Sequence, residues 1–447
     1  MKRRAFVAAA GSAFVASACA SSAVPPPGAF KAVPLTRLEV NAFANDARSV
    51  AALRKAVAAM MAIADDTDER SWNYWHYSHW MPNGMTPPPS MARVWNQCRH
   101  GEPYFYAWHR GYVRYFELML QAMSGDPTLM LPYWDYYANP SMPAIFSDPT
   151  LSDGSPNPLY WSNRQSATVT GLIYASFLPR FTTFQSADPD APTFELISEI
   201  NPHGAVHDAI GGDMGTVPTA AADPVFWVHH CNVDRLWSAW VAAGAGRSMP
   251  PAGDPYYEQS FTYDLVGKWT VSLPQLLDTA GLGYVWDNVS LPAIPPGADL
   301  PAEPAVRHRS RASGSSGALD LDITGASVTI PLSAPVSGSS TVTLTLDGVQ
   351  LTAAGAKGGY NFNLYVNLPP AATAETLEAE YFVGTIGAFA VSVEAMMSGG
   401  PIDLRFELQN ALALQGGSFD ALTISFVGTG AIAAGQPLVT IGGLSIQ

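Results

Sequence analysis

The stretch Arg99-His100-Gly101-Glu102-Pro103-Tyr104-Phe105-Tyr106-Ala107-Trp108-His109-Arg110 decides how this chain is read. His109 lies on the face continued by Val113, Phe116 and Leu120, because steps of three and four residues stack on one side of a helix. That histidine therefore points inward. His79 and His100 precede it, and a second set follows in His203-Gly204-Ala205-Val206-His207 and in Asp223-Pro224-Val225-Phe226-Trp227-Val228-His229-His230-Cys231-Asn232-Val233-Asp234-Arg235. Of nine histidines, six thus fall into two groups of three: His79, His100 and His109, then His203, His207 and His230. His203 and His207 are one helical turn apart, the spacing that lets one metal ion accept both imidazoles. A single core histidine is usually a hydrogen-bonded structural residue, but two spaced triplets argue for metal. Imidazole donors suit copper, zinc, iron and nickel. Sets of three without carboxylate or thiolate favour copper over di-iron or structural zinc.

These two segments resemble the two copper signatures of the type-3 dicopper family, the tyrosinases, catechol oxidases and haemocyanins. The likeness includes Phe105, Trp108-His109-Arg110 and Glu117 in the first segment, and Asp223-Pro224, Phe226, His230 and Asp234 in the second. It implies two copper ions, dioxygen and a phenolic substrate. His76 and His79 compete for the first ligand position; His79 stands twenty-one residues before His100 and matches the helix segment of relatives. His229 and His230 are about 100° apart on a helix, so one of them faces the metal, and the matched signature selects His230. Cys98, two residues before His100, is similar to the cysteine that forms a thioether with this ligand in fungal and molluscan members; its plain alternative is a small buried hydrophobe. Cys231 has no matching role and is assigned to the core. Glu199, four residues before His203, matches a glutamate that holds a water in plant relatives and could with that water take a phenolic proton. Its alternative is an ordinary helix N-terminal carboxylate. Gly204 replaces the asparagine of many monophenol-hydroxylating members, which tilts the reading to diphenol oxidation. Val217 stands at the gate position where plant enzymes often place phenylalanine.

Outward from the two segments, apolar residues at Val50, Leu53, Val57, Met60 and Ile63 predict a helix capped by Asn45 or Asp46. A second inward helix should carry His203 and His207, and a third should start at Asp223-Pro224. The resulting expectation is a mainly α catalytic domain at 30–290, a four-helix bundle around the dicopper site. Residues 291–317 read as a linker containing Arg307-His308-Arg309-Ser310-Arg311 and a Ser-Gly run. From 318 to 447 the pattern has period two, as in Val342/Leu344/Leu346, and predicts a small all-β sandwich. Leu131-Pro132-Tyr133-Trp134-Asp135-Tyr136 and Tyr284-Val285-Trp286 are similar to family segments. Tyr360-Asn361-Phe362-Asn363-Leu364-Tyr365-Val366-Asn367 and Val439-Thr440-Ile441-Gly442-Gly443 resemble the plant polyphenol oxidase tail, which implies a domain that covers the copper site in a latent form, with the basic linker a protease target.

At the N-terminus, Lys2-Arg3-Arg4-Ala5-Phe6 and an apolar run from Val7 to Ala18 predict an export signal over 1–22 of twin-arginine type, hence a periplasmic or extracellular protein. Cleavage after Ala18 and lipid anchoring at Cys19 are both open. No other segment is long and apolar enough to span a bilayer. With 48% hydrophobic and 13% charged residues the chain can pack large cores, and its net charge of −14 argues against nucleic acid and anionic lipid as partners. The rivals to a catechol oxidase are a haemocyanin-like dioxygen carrier without turnover and a binding protein with a vestigial copper site.

Overall fold

The computed structural model describes residues 33–178, 181–185, 193–294, 313–369, 380–398 and 402–447. The expected export signal, Cys19 and the Arg307–Arg311 stretch lie outside the described residues. In chain order the first unit contains β1 (Leu35–Arg37), α1 (Val40–Phe43), α2 (Ala47–Met61), α3 (Trp72–His79), α4 (Phe105–Ser124), α5 (Ala144–Ser147), α6 (Phe194–Ser198), α7 (Ala205–Ile210), α8 (Val217–Ala220) and α9 (Val225–Ala242). A hairpin, β2 (Ser260–Thr262) with β3 (Thr270–Ser272), precedes α10 (Leu273–Leu276) and β4 (Tyr284–Trp286).

Three of the helix starts have a local cause. Asp46 accepts from the Arg48 amide at 3.1 Å, Ser71 from Asn73 at 3.2 Å, and Asp223 from Val225 at 2.8 Å, each satisfying an amide that the helix leaves free. Helix α2 buries Val50, Leu53, Val57 and Met60, the expected stripe. Helix α4 is different: every residue from Phe105 to Leu120 is buried, so it runs through the middle of the unit. It ends at Gly125, whose left-handed φ of 76° closes the last turn.

The two long histidine-bearing helices, α4 and α9, are tied together beyond their histidines. Glu117 of α4 receives Arg37 at 3.0 Å and Arg114 at 2.8 Å, and Asp234 of α9 receives Arg37 at 3.0 Å and the Tyr284 hydroxyl at 2.6 Å. Arg37 also lies 3.7 Å from the Tyr284 ring centre. Because β1 pairs in parallel with β4, one buried arginine ties both ends of this unit to both helices. Removing Arg37 would leave Glu117 to Arg114 and Asp234 to Arg110, and would take away the one group that the two carboxylates share.

The C-terminal unit has a separate core. One sheet runs β10 (Phe382–Ile386), β9 (Tyr360–Val366), β12 (Ser418–Gly430), β7 (Ala326–Ser337). The other runs β5 (Gly314–Ser316), β14 (Gly443–Ile446), β8 (Thr343–Leu351), β13 (Val439–Ile441), β6 (Leu319–Leu321), with β11 (Ile402–Glu407) also on β8. Two expectations need correction. The unit is β-rich but not all-β, since helices Ala388–Ser398 and Gln409–Gln415 are inserted between strands. The assigned linker also reaches too far, because Gly314–Ser316 pairs with Gly443–Ile446; small polar residues suit an edge strand as well as a tether.

Strand β9 shows how the units meet. Tyr360, Phe362, Leu364 and Val366 belong to the sandwich core. The alternate residues face the helical unit, where Asn361 and Asn363 donate to the carbonyls of Thr170 and Gly171 at 3.3 and 3.2 Å. Nearby, Gly211 has φ of 64°, and a side chain there would come within 2.5 Å of the Gly359 amide. Only glycine permits that approach.

Candidate dicopper site

Four helical segments and one loop carry the histidines. His79 closes α3, His100 sits in the loop before α4, His109 is one turn into α4, and His230 lies on the inner face of α9. His203 and His207 are not on one regular helix: Asn201 is extended (φ −149°, ψ 118°) and the turn through Glu199–Gly204 is wide. Pro202 lacks an amide donor, which suits this break. The one-turn relation survives it, with ring centres 4.7 Å apart.

All six imidazoles are at most 3% exposed. In the first group ring centres lie 5.5 Å (His79–His100), 5.7 Å (His79–His109) and 5.3 Å (His100–His109) apart. In the second they lie 4.7 Å (His203–His207), 5.1 Å (His203–His230) and 5.7 Å (His207–His230) apart. The groups face each other, His109 stacking on His230 at 4.4 Å and His100 on His203 at 5.4 Å.

The hydrogen bonds settle which nitrogens are free. Nδ1 of His79, His109, His203 and His207 meets the carbonyls of Val217, Phe105, Glu199 and Met214 at 3.1, 2.8, 3.0 and 2.8 Å. A carbonyl only accepts, so each Nδ1 carries the proton and each Nε2 keeps its lone pair. Nε2 of His79, His100, His203 and His207, and both nitrogens of His230, have no partner although buried. Such orphaned, converging donors suit a metal ion. Burial also lowers the pKa of these imidazoles, that of His100 to about 3, keeping them in the neutral form a metal requires.

Glu199 does not stand free in the cavity. One of its oxygens accepts from His100 Nδ1 at 3.1 Å and from the Gly101 amide at 2.8 Å, and burial pushes its carboxyl up to about 8. The sulfur of Cys98 is 3.4 Å from His109 Nε2, and its donor atom groups with those of His79, His100 and His109. His229 joins His203, His207 and His230, with both ring nitrogens unpartnered, so sequence reasoning set aside a residue that the fold brings into the cluster. His76 is buried, its Nε2 donating to the Pro218 carbonyl at 2.9 Å. Cys231 is core, as expected. Val217 is wholly buried; its carbonyl holds His79, and its amide donates to Ser392 of the C-terminal unit at 3.1 Å. A side chain at Gly204 would meet the Glu199 carbonyl at 3.5 Å and the Phe389 ring at 3.9 Å, ordinary contacts.

Phe389 had no signal in the sequence, being one apolar residue in an inserted helix far along the chain. Its ring lies parallel to His207 at 4.0 Å and edge-on to His203 and His100 at 5.3 and 5.5 Å. Its amide donates to Asp208 at 2.6 Å, and the residue before that helix, Gly387, has no room for a side chain against the same carboxyl.

Comparison with known proteins agrees with this geometry. The family described as the common central domain of tyrosinase matches residues 69–171 and 152–243. The helical unit belongs to the type-3 copper tyrosinase and polyphenol oxidase family. A tyrosinase of Hahella sp. is 32% identical over 274 residues, 52% of this chain and 55% of that protein. Aureusidin synthase of Antirrhinum majus is 28% identical over 311 residues, 58% and 53% of the two chains. The chain thus spans about half the length of these curated relatives. Among solved structures, latent apple tyrosinase superimposes with a TM-score of 0.59 at 20% identity, covering 95% of this chain and 98% of the other, and shows the shared two-unit fold. Latent aurone synthase does so with 0.56 at 20% identity over 94% and 91%. The two buried histidine groups of the helical unit fit a type-3 dinuclear copper centre.

Proposed function

We propose that this protein is an exported copper oxidase that converts catechols to o-quinones with dioxygen and is held latent by its C-terminal unit. His79, His100 and His109 would hold one copper, and His203, His207 and His230 the other. When bound, the pair supplies the electron exchange between dioxygen and the phenol. The remaining roles belong to the chain. Glu199 fixes His100 with Nε2 inward, and its second oxygen is the one left to hold a water against a phenolic proton. Gly204 and Val217 shape the mouth, and the absence of a side chain at 204 supports diphenol over monophenol turnover. Cys98 is proposed to bond His100 as a thioether, which intact mass would register as the loss of two hydrogens.

The observation that carries the reading is Phe389: a flat ring is parallel to one ligand and edge-on to two others, where a phenol would need to lie. The test is oxygen uptake by the copper-loaded chain, with a monophenol and its catechol, before and after limited proteolysis. Catechol-dependent uptake that rises on cleavage is expected. Uptake with neither substrate after cleavage, or reversible oxygenation without quinone, removes the reading. Export by the twin-arginine route is tested by locating the protein after mutation of Arg3 and Arg4.

A further inference from the structure

The aromatic residues around the site are distributed unevenly. Phe105, Phe226 and Phe389 lie between the two histidine groups: Phe105 is 4.6 Å from both His109 and His203, Phe226 is 5.0 Å from His79 and 4.2 Å from His230, and Phe389 is 5.5 Å from His100 and 4.0 Å from His207. Phenylalanine is not oxidised under biological conditions. From the first group leads a series of tryptophans and tyrosines. Trp108 lies 4.8 Å from His109, and Tyr112 stacks on His79 at 6.2 Å and on Trp108 at 4.6 Å. Trp75 follows at 6.1 Å from Tyr112, and Trp269 stacks on Trp75 at 6.0 Å. A second branch returns from Trp269 through Tyr115 (5.7 Å) and Tyr263 (5.2 Å) to Trp108 (6.0 Å). The series is therefore a closed loop without a phenylalanine.

We propose that this loop is an electron relay that carries reducing equivalents from solution to the dicopper position when no phenol can enter. The proposal rests on the dicopper oxidase reading above. Trp269 is the outer terminal. It is buried itself but sits between the exposed residues Lys268 and Thr270, and its amide donates at 3.0 Å to Asp264, a buried carboxylate whose charge favours a cationic hole there. The Lys268 ammonium, 5.6 Å over the indole, opposes this from solvent, where its field is screened. The indoles are the hopping sites. Tyr112 and Tyr263 donate their hydroxyls to the carbonyls of Trp75 and Trp108, groups too weakly basic to take the proton that tyrosine loses on oxidation. A tryptophan can pass an electron without losing a proton.

With the mouth filled by Phe389, an oxidised site has no phenol to consume and would oxidise its own ligands. The relay gives it another electron source. For hydrogen peroxide as oxidant and a donor of the ascorbate class, the donor releases two electrons and two protons. The electrons pass inward through Trp269 and Trp75, and peroxide takes them up with two protons from solvent to give two waters.

The test uses the full-length, copper-loaded chain treated with hydrogen peroxide without phenol, read by rapid-freeze paramagnetic resonance and peptide mapping. A tryptophan radical is expected, with oxygen added at Trp269 before any ligand histidine, and ascorbate should remove the radical while consuming peroxide. Trp75→Phe or Trp269→Phe should lose the outer signal and oxidise His79 and His109 several-fold sooner, and Trp75→Tyr should restore part of the protection. If the wild-type chain oxidises its histidines while Trp269 stays intact, or if both phenylalanine variants match it, the relay is overturned and the dicopper reading stands. A chain that takes up fewer than two coppers fails at metal analysis and removes both.

Discussion

The two histidine groups are finished by different parts of the molecule. The first is completed within the helical unit: carbonyls of Val217 and Phe105 orient His79 and His109, and the Glu199 carboxylate orients His100. The second has backbone partners for His203 and His207, but its open side is covered by Phe389 of the other unit. The difference is one of distance: the C-terminal unit reaches the second group more closely than the first, Phe389 lying 4.0 Å from His207 and 5.5 Å from His100. A change in the C-terminal unit should therefore be felt at the second position first.

The harshest way to break this comparison is to remove a ligand. His109→Ala should cost one copper and all oxidase activity, while the second group keeps its ion; metal analysis of the folded variant checks this. Phe389→Ala comes next. Loss of a buried phenylalanine typically costs about 3 kcal/mol, which would raise the open fraction about 100-fold. Catechol oxidation by the uncleaved chain should rise accordingly, with metal content unchanged. Glu199→Leu keeps the bulk but removes the oxygen that accepts from His100 Nδ1 and the Gly101 amide. It should weaken copper at the first position by roughly 10- to 100-fold and leave the second alone, as competition with a chelator would show.

Acid tests the contrast at the scale of the two units. Eight buried imidazoles, His76, His79, His100, His109, His203, His207, His229 and His230, have pKa values lowered by burial. Their unfolded value is about 6.5. Their contribution is therefore present above that pH and is lost as pH falls below it, where the unfolded chain binds more protons. The raised carboxyls of Glu39, Glu69, Glu195, Glu199 and Asp208 act in the opposite sense but are fewer. Copper-free protein should thus lose thermal stability between about pH 6.5 and 5. The loss should be confined to the helical unit, because no histidine lies beyond His308. Calorimetry resolving two transitions would show it. The smallest expected effect is that of Gly204→Asn, a few-fold rise in monophenol relative to catechol turnover. Residue 204 has ordinary helical φ and room for a side chain, so an unchanged ratio would remove the specificity role given to it.

What was legible in the sequence was local. Caps at Asp46 and Asp223, the stripe Val50 to Met60, the inward face of His109 and the alternation running into β8 each follow from neighbours a few residues apart. What was not legible depends on contacts across long separations. Nothing near Glu199 says that its partner is His100, ninety-nine residues earlier in the chain. The break at Asn201-Pro202 was hidden by the regular spacing of His203 and His207, and serine and glycine at 314–316 looked like tether because their strand partner lies at the far C-terminus. Phe389 gains its meaning only when β10 and β9 deliver its helix to His207.

The buried arginine at position 37 sets a limit on how the chain can be matured. Its guanidinium buckles the foundations of both metal helices, and its strand is the first described segment of the protein. Trimming up to Leu35 would spare it, but a cut only three residues further would remove the group that joins Glu117 to Asp234, leaving each carboxylate to an arginine on its own side, Arg114 and Arg110. The same fastening includes Tyr284 at the other end, so a protease that severs the chain after Ile294 leaves the buckle closed and the metal cradle standing alone.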